Sequence, residues 1–303
     1  MKRELIIPGV AILLAALSSL LDRDRAWEPA RVGDFVALEG DIHTHSIVAA
    51  AFPTPVDLAL LARRQKLDFI AVVEHQSLAG APLTAAIARR LAPEVVVIPS
   101  EEITTKRYHL LAIGLTRSID AARPMGDVIA EIRKQGGVAV AAHPTRKTWP
   151  LFHEKVDLGM LDGVEVMHPV RAFTSRPGSS FRGEDIAQFW IDASARTKRP
   201  LAALGGSDFH ALSMMGFCRS IVLAREKSQV AILDAIRAGR SVAACHGMPL
   251  EGNPEWLDLL SRSGYLPRPS RHSYATASAS AQAIAWILVL FLVSSLFWRR
   301  AAP

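Results

Sequence analysis

In the stretch "GDIHTHS", Gly40 to Ser46, two histidines stand one residue apart behind an aspartate and a short apolar run. Strand side chains alternate between faces, so His43 and His45 present their imidazoles to the same side, close enough to share one metal ion. More imidazoles and carboxylates sit beside apolar runs further along: His75 in "EHQ", Glu102 in "SEEIT", His109 in "HLLAIG", His143 in "AHP", and Asp208 and His210 in "GSDFH". Polar groups at the ends of buried strands are costly unless partnered, and so many N and O donors together read as a centre for divalent metal. Mixed imidazole and carboxylate donors accept zinc, manganese or iron and do not choose among them. His168, after "GVEVM", is a further candidate for the same site, whereas His153, His246 and His272 read as solvent-exposed loop residues.

The elements that must carry these residues alternate along the chain. β-rich runs such as "FVALEGDIH", "DFIAVVEH", "EVVVIPSEE", "VAVAAHP", "DGVEVMH" and "PLAALGGSDFH" are separated by amphipathic runs such as "PVDLALLARRQ", "MGDVIAEIRKQGG" and "SQVAILDAIRAGR". Continuous apolar strands between amphipathic helices predict parallel strands covered on both faces, an α/β barrel or doubly wound sheet. In a parallel barrel, functional groups from distant strands collect at the strands' carboxyl ends. Asp41, Glu74, Glu101 and the donors above all close their runs, with His109 as the exception, since it opens "HLLAIG".

As an ordered set these motifs resemble the PHP family, named for its place in polymerases and histidinol phosphatases. The chain has "DIHTHS" at 41–46, "EHQ" at 74–76, "SEEIT" at 100–104, "HLLAIG" at 109–114, "AHP" at 142–144, "VEV" at 164–166, "GSDFH" at 206–210 and "AIRAGRS" at 235–241, so the resemblance covers about residues 37–247. It implies a distorted seven-stranded (β/α) barrel with two to three divalent metal ions (Zn, Mn or Fe) at its mouth, hydrolysing phosphate esters. It assigns His43, His45, Glu102 and Asp208 to a first ion, Glu102 as a bridge with His109 and His143 to a second, and His75 and His210 to a third. Family members carry one more ligand in the loop after H-x-H. This chain has Ala50 there, so the third ion is expected to be weak, water-completed or absent, and Glu74 stands where aspartate is usual.

The chemistry such a centre performs is hydrolysis: two divalent ions supply hydroxide near neutral pH and clamp phosphoryl oxygens during in-line displacement. Asp208 and His210 are the candidates to orient the nucleophile or protonate the leaving oxygen. Arg146, Lys147, Arg171, Arg176 and Arg182 are candidate phosphate contacts, since guanidinium matches phosphate oxygens in pairs. A small phosphomonoester or nucleotide is the expected substrate. Nucleic acid is less favoured, although Trp149, Phe173 and Phe181 lie near the arginines as candidate stacking platforms. No protein partner is expected. A metal-dependent amidohydrolase is one rival, but no lysine stands at a strand end. A metal-retaining, non-catalytic module is another, and retention of all the motif histidines argues against it.

The chain's 303 residues, 50% of them apolar, suffice for a sizeable core, and the net charge of +6 suits acidic partners such as phosphate esters or anionic lipid. Leu5 to Leu21 carries no charge and follows Lys2 and Arg3, so residues 1–26 read as a signal anchor or signal peptide. Residues 282–303 read as a transmembrane helix that stops at Arg299 and Arg300. Residues 27–247 are the expected hydrolase domain, and 248–281, rich in proline, serine and arginine, a stalk. Basic flanks inside the cell would place the main domain on the extracytoplasmic side of the cytoplasmic membrane, with the lipid bilayer as a partner. Cys218 and Cys245 are too few for a disulfide framework and are expected to be free and buried, although one bridge is open to them in an oxidising compartment.

Overall fold

The structure is a computed structural model that describes residues 27–49, 51–150, 158–172, 182–210 and 214–269. Its strands are β1 (Ala30–Val32), β2 (Phe35–Thr44), β3 (Phe69–His75), β4 (Val96–Thr104), β5 (His109–Ile113), β6 (Val138–Ala141), β7 (Gly163–Met167), β8 (Ala202–Gly205), β9 (Cys218–Ala224), β10 (Ser241–Cys245) and β11 (Glu251–Gly252). Between them lie helices α1 (Pro55–Arg64), α2 (Gly80–Leu91), α3 (Met125–Lys134), α4 (Pro169–Ala172), α5 (Gly183–Arg196), α6 (Gln229–Arg237) and α7 (Pro254–Arg262). All the strands join one sheet in the order β11-β10-β9-β2-β3-β4-β5-β6-β7-β8, with β1 paired to β2.

Side-chain alternation explains why these strands read as continuous apolar runs. On β5, Leu111 and Ile113 pack in one cluster while Leu110 and Ala112 pack in another; on β6, Val138 and Val140 oppose Ala139 and Ala141 in the same way. Both faces are therefore buried, one inside the barrel and one under helices. Helix α6 sends Ile232, Leu233 and Ile236 into the interior cluster and touches β4, β6 and β9, so it plugs the end opposite the histidines. Gly114, with φ of +87°, leaves room for this plug, because a Cβ there would lie 2.5 Å from Leu233.

The sheet nearly closes on itself. Just past β8, Phe209 N donates to the His43 carbonyl and His45 N to the Phe209 carbonyl, each at 3.1 Å, which ties the last parallel strand to β2 at the mouth. Below that tie, Ser220 Oγ of β9 and Ser241 Oγ of β10 donate to the carbonyls of Gly205 and Ala203, each at 2.9 Å. β2 to β8 are thus the staves of a distorted α/β barrel, as expected, and β9 and β10 complete the wall.

The pairing is not uniformly parallel. β4 and β5 run antiparallel, as do β5 and β6. Only residues 105–108 join β4 to β5, far fewer than the dozen or so residues a parallel crossover needs, so a hairpin forms instead. The reversal sets His109 opposite Thr104, at the same end of the barrel as the residues that close their strands.

Two expectations are corrected here. Cys218 and Cys245 face each other directly across β9 and β10 and form a disulfide, because the antiparallel register brings their Cα atoms to 4.0 Å. The stretch 248–269 is not a stalk: β11 extends the sheet, and α7 buries Leu260 against Val32, Ala37, Ile221 and Val242. Beyond α7, Tyr265 Oη donates to Glu39 Oε1 at 2.6 Å, Arg268 N donates to the same oxygen at 2.8 Å, and the Arg268 guanidinium pairs with Asp68. Residues 1–26 and 270–303, which hold both uncharged runs, lie outside the described residues; among those described, no helix is long and apolar enough to cross a membrane.

Glu39 is buried and accepts from Arg219 Nη1 at 2.9 Å, while Arg219, also buried, spends its Nε on the Gly216 carbonyl at 3.0 Å. Removing one partner of a buried pair leaves the other charge desolvated. Arg219→Met is therefore expected to lower the unfolding free energy by about 3 kcal/mol in urea denaturation. A loss below about 1 kcal/mol would mean that Arg268 and Tyr265 satisfy Glu39 without it.

Candidate metal centre

The expected ligands meet at one end of the barrel, around two carboxylates. Glu102, at the end of β4, is almost fully buried and presents its oxygens to different neighbours. Oε1 lies 3.0 Å from His109 Nδ1 and 3.4 Å from His143 Nε2. Oε2 lies 3.1 Å from His75 Nδ1 and 3.6 Å from both His43 Nε2 and His45 Nε2. Asp208 Oδ1 lies 3.3 Å from each of His43 Nε2, His45 Nε2 and His210 Nδ1. Three sets of ligand atoms converge closely enough to hold an ion: His43, Glu102 and His143; His43, His45 and Asp208; and His45, His75 and His210.

Local structure explains how each side chain is aimed. The ladder between β2 and β3 shifts register between Asp41 and Thr44, a bulge that re-aims the H-x-H segment. Asp41 is wholly buried and clamps the facing loop: Oδ1 accepts from His43 N and Ser207 N at 3.1 and 3.0 Å, and Oδ2 from Gly216 N at 2.8 Å and from the Ser207 hydroxyl. His143 and Asp208 both adopt positive φ, +25° and +48°, a conformation that persists only where surroundings enforce it. For His143 those surroundings are Glu165 Oε2, which accepts its N–H at 2.7 Å, and Thr148 Oγ1, which donates to its carbonyl at 2.7 Å. Glu74 lies beneath the loop, accepting from Ser46 N at 3.2 Å and from the Ser46 hydroxyl, so it holds the turn after His45. Glu101 alternates away from its neighbour Glu102 and accepts from Ile119 N at 3.2 Å; burial pushes its carboxyl up to about 7.

Glu165 was not singled out from the sequence. It lies in "GVEVM" between Val164 and Val166, which pack outward, so its carboxylate points into the barrel, where both oxygens sit 3.3 Å from His43 Nδ1. The available signal was one carboxylate inside an otherwise apolar strand. Gly206 of "GSDFH" must be glycine because a Cβ there would lie 2.3 Å from Glu165 Oε1 and 2.7 Å from His43 Cβ.

The donor set fits divalent cations. His43 directs Nδ1–H to Glu165, and His210 directs Nδ1–H to the Asp208 carbonyl at 3.1 Å, so each is left with an Nε2 lone pair. His43 Nε2 and His45 Nε2 stand 3.1 Å apart beside a carboxylate oxygen, and lone pairs so placed need a shared cation or proton. Without metal, protons take that role. Burial disfavours a charged His43, but the Glu165 and Asp208 carboxylates and a hydrogen bond to Glu102 outweigh it and hold its pKa well above the ordinary value. His143 is raised against the same burial by Glu102 and Asp208, and His210 by its hydrogen bond with Asp208. Burial, with the His43 charge, depresses His45 to about 4. Burial raises Glu102 and Asp208, but their imidazole partners prevail and keep both well below the carboxylate range.

The basic candidates do not gather at the cluster. Arg171 is committed elsewhere: Nη1 donates to the Val166 carbonyl at 2.6 Å and pairs with Glu251, so its expected phosphate contact is corrected to a brace between α4 and β11. Arg146 pairs with Asp185 at 3.3 Å and Arg182 with Glu184 at 3.5 Å, both exposed, and Lys147 is exposed as well. Trp149 is no stacking platform, since it is fully buried and its Nε1 donates to the His109 carbonyl at 2.8 Å. Ala50, His153, Phe173, Arg176 and Phe181 lie outside the described residues. His168 is buried, with its ring 5.2 Å from that of His143, and its Nε2 faces Asp208 Oδ2 at 3.6 Å.

Residues 193–241, from the end of α5 to the start of β10, match the family model described as PHP-associated. An uncharacterised protein of Methanocaldococcus jannaschii, MJ1587, is 24% identical over 142 residues, which is 43% of this chain and 82% of that protein. Among solved structures, a two-domain Bacteroides vulgatus protein containing a predicted PHP-like metal-dependent phosphoesterase is similar with a TM-score of 0.59 and 22% identity, over 79% of this chain and 74% of that one. A candidate metal-dependent phosphoesterase from Bifidobacterium adolescentis gives a TM-score of 0.42 and 19% identity, over 61% of this chain and 90% of that one. The family-model match and the shared fold support the PHP type.

Two outcomes are expected at this centre. Glu165→Gln should weaken divalent metal binding by about 10- to 100-fold in a competition titration, the usual effect of releasing a ligand's outer partner, and an unchanged affinity would remove Glu165 from that role. Because the surrounding carboxylates raise His43, His143 and His210, these rings favour their protonated forms without metal and must lose those protons to bind it. Calorimetry in buffers of different ionisation enthalpy should report proton release, with affinity falling as the pH drops, and heats independent of buffer would contradict this charge state.

Proposed function

We propose that this protein is a PHP-type metal-dependent phosphoesterase acting on a small phosphomonoester or nucleotide. The observation that carries the reading is the convergence of His43, His45, His75, His109, His143 and His210 on the carboxylates of Glu102 and Asp208 at one barrel mouth. In this reading His43, His45, Glu102 and Asp208 hold one divalent ion, Glu102, His109 and His143 a second, and His75 and His210, joined by His45, a weaker third. Bound divalent ions supply Lewis acidity and a hydroxide nucleophile near neutral pH.

The protein's own groups divide the remaining work. Glu102 joins the two halves of the cluster through its separate oxygens. Asp208 is 29% exposed and His210 35%, so both reach the edge where a leaving oxygen departs. With its Nδ1–H on the Asp208 carbonyl, His210 has only Nε2 to offer, as a ligand when the third position holds an ion and as a proton donor toward the leaving oxygen when it does not. Among the described residues, Arg146, Lys147 and Arg182 are the basic candidates left to meet an anionic substrate, by exchanging surface partners worth little in water.

We also read the chain as membrane-tethered with this domain on the extracytoplasmic side. The uncharged terminal runs with their basic flanks support it, and the Cys218–Cys245 disulfide suits an oxidising compartment. Thiol labelling in intact cells should find both cysteines unreactive until a reductant is added; free thiols in freshly lysed cells would contradict that placement.

The test of function is a panel of phosphomonoesters and nucleotides with manganese, zinc or iron supplied. Phosphate release should be abolished by chelation, and Asp208→Asn should lower kcat by about 100-fold or more, as losing a charged group at the reacting centre does. Hydrolysis of amides or lactones without any phosphate release would favour the amidohydrolase rival instead.

A further inference from the structure

We infer that His168 is the fixed hydrogen-bond donor that receives a phosphoryl oxygen of the substrate, an inference that rests on the phosphoesterase reading. His168 follows β7 directly, and its Nδ1 accepts the Val170 N–H of α4 at 3.1 Å. A nitrogen that accepts a hydrogen bond carries no proton, so the ring's proton resides on Nε2. That assignment excludes Nε2 as a metal ligand, since coordination there would require an imidazolate.

Nε2–H has no protein acceptor within hydrogen-bonding distance among the described residues. Its nearest carboxylate oxygen, Asp208 Oδ2, lies 3.6 Å away, a contact long for a hydrogen bond although it helps to keep Asp208 ionised. His168 is only 4% exposed, so the donor is buried and aimed at the edge of the metal cluster. Asp208 turns its other oxygen, Oδ1, toward His43, His45 and His210, which leaves the Oδ2 side of the centre facing His168. An unmet buried donor is destabilising, and an anionic oxygen seated beside Asp208 would satisfy it with a charge-assisted bond.

A fixed donor complements the arginines. Arg171, three residues on, spends its guanidinium on Glu251 and the Val166 carbonyl, and Arg146 is drawn to Asp185. His143 packs edge-on against the His168 ring and the Val170 amide fixes its tautomer, so the ring is oriented before substrate binds.

The experiment uses the full chain loaded with manganese and inorganic phosphate as the probe. His168→Phe should keep the metal content of the wild type while phosphate affinity, measured by calorimetry, falls at least about tenfold, the loss expected for a hydrogen bond to a charged group. His168→Gln, whose amide can donate from nearly the same place, should recover most of that affinity. Nitrogen-15 NMR of the wild-type ring should show the proton on Nε2. Unchanged phosphate binding in His168→Phe, a fall in metal content, a proton on Nδ1, or no phosphate binding by the metal-loaded wild type would each overturn the inference. If the wild type binds phosphate through His168 yet cleaves no phosphate ester, the inference stands and the phosphoesterase reading fails.

Discussion

Everything at the mouth of this barrel depends on keeping the Glu102 carboxylate charged while it is almost completely removed from water. A lone carboxylate there would take up a proton rather than bear the desolvation. Four imidazoles, from His43, His75, His109 and His143, prevent that, and they arrive from four different strand ends. Strand order, the antiparallel turn into β5 and the bulge in β2 are the geometric conditions for that meeting. The centre thus constrains the fold as much as the fold positions the centre.

Buried carboxylates behind the ligands make the arrangement rigid. Asp41 ties Ser207 and Gly216 to β2, Glu74 holds Ser46, and Glu165 joins His43 to the backbone of His143. None of these three needs to touch metal, yet each fixes the loop or ring that does. The opposite end of the barrel follows the same logic with different chemistry. There Glu39 and Asp68 are neutralised by Arg219, Lys227 and Arg268, and the chain after α7 forms part of the lock.

Much of this was legible in the sequence because the ligands stand at apolar-to-polar boundaries, which a strand end leaves in plain view. His109 looked anomalous only because its strand was expected to run parallel; the short link from Thr104 already required a hairpin. What escaped reading depends on partners distant in the chain. Arg171 looked like a phosphate contact because Glu251, its actual partner, lies eighty residues on. Cys218 and Cys245 become partners through the antiparallel register of β9 and β10, and "PEWLDLL" was hidden among prolines and arginines although its apolar residues pack on the same two strands. Glu165 was overlooked because its neighbours define an ordinary core strand.

Whether the cluster is a working metal centre is decided by the elemental content of the protein purified without chelator. Two to three divalent ions per chain are expected, with the second digit of that value separating a full third position from a weakly held one. Fewer than about half an ion, not restored by added zinc, manganese or iron, would contradict the account.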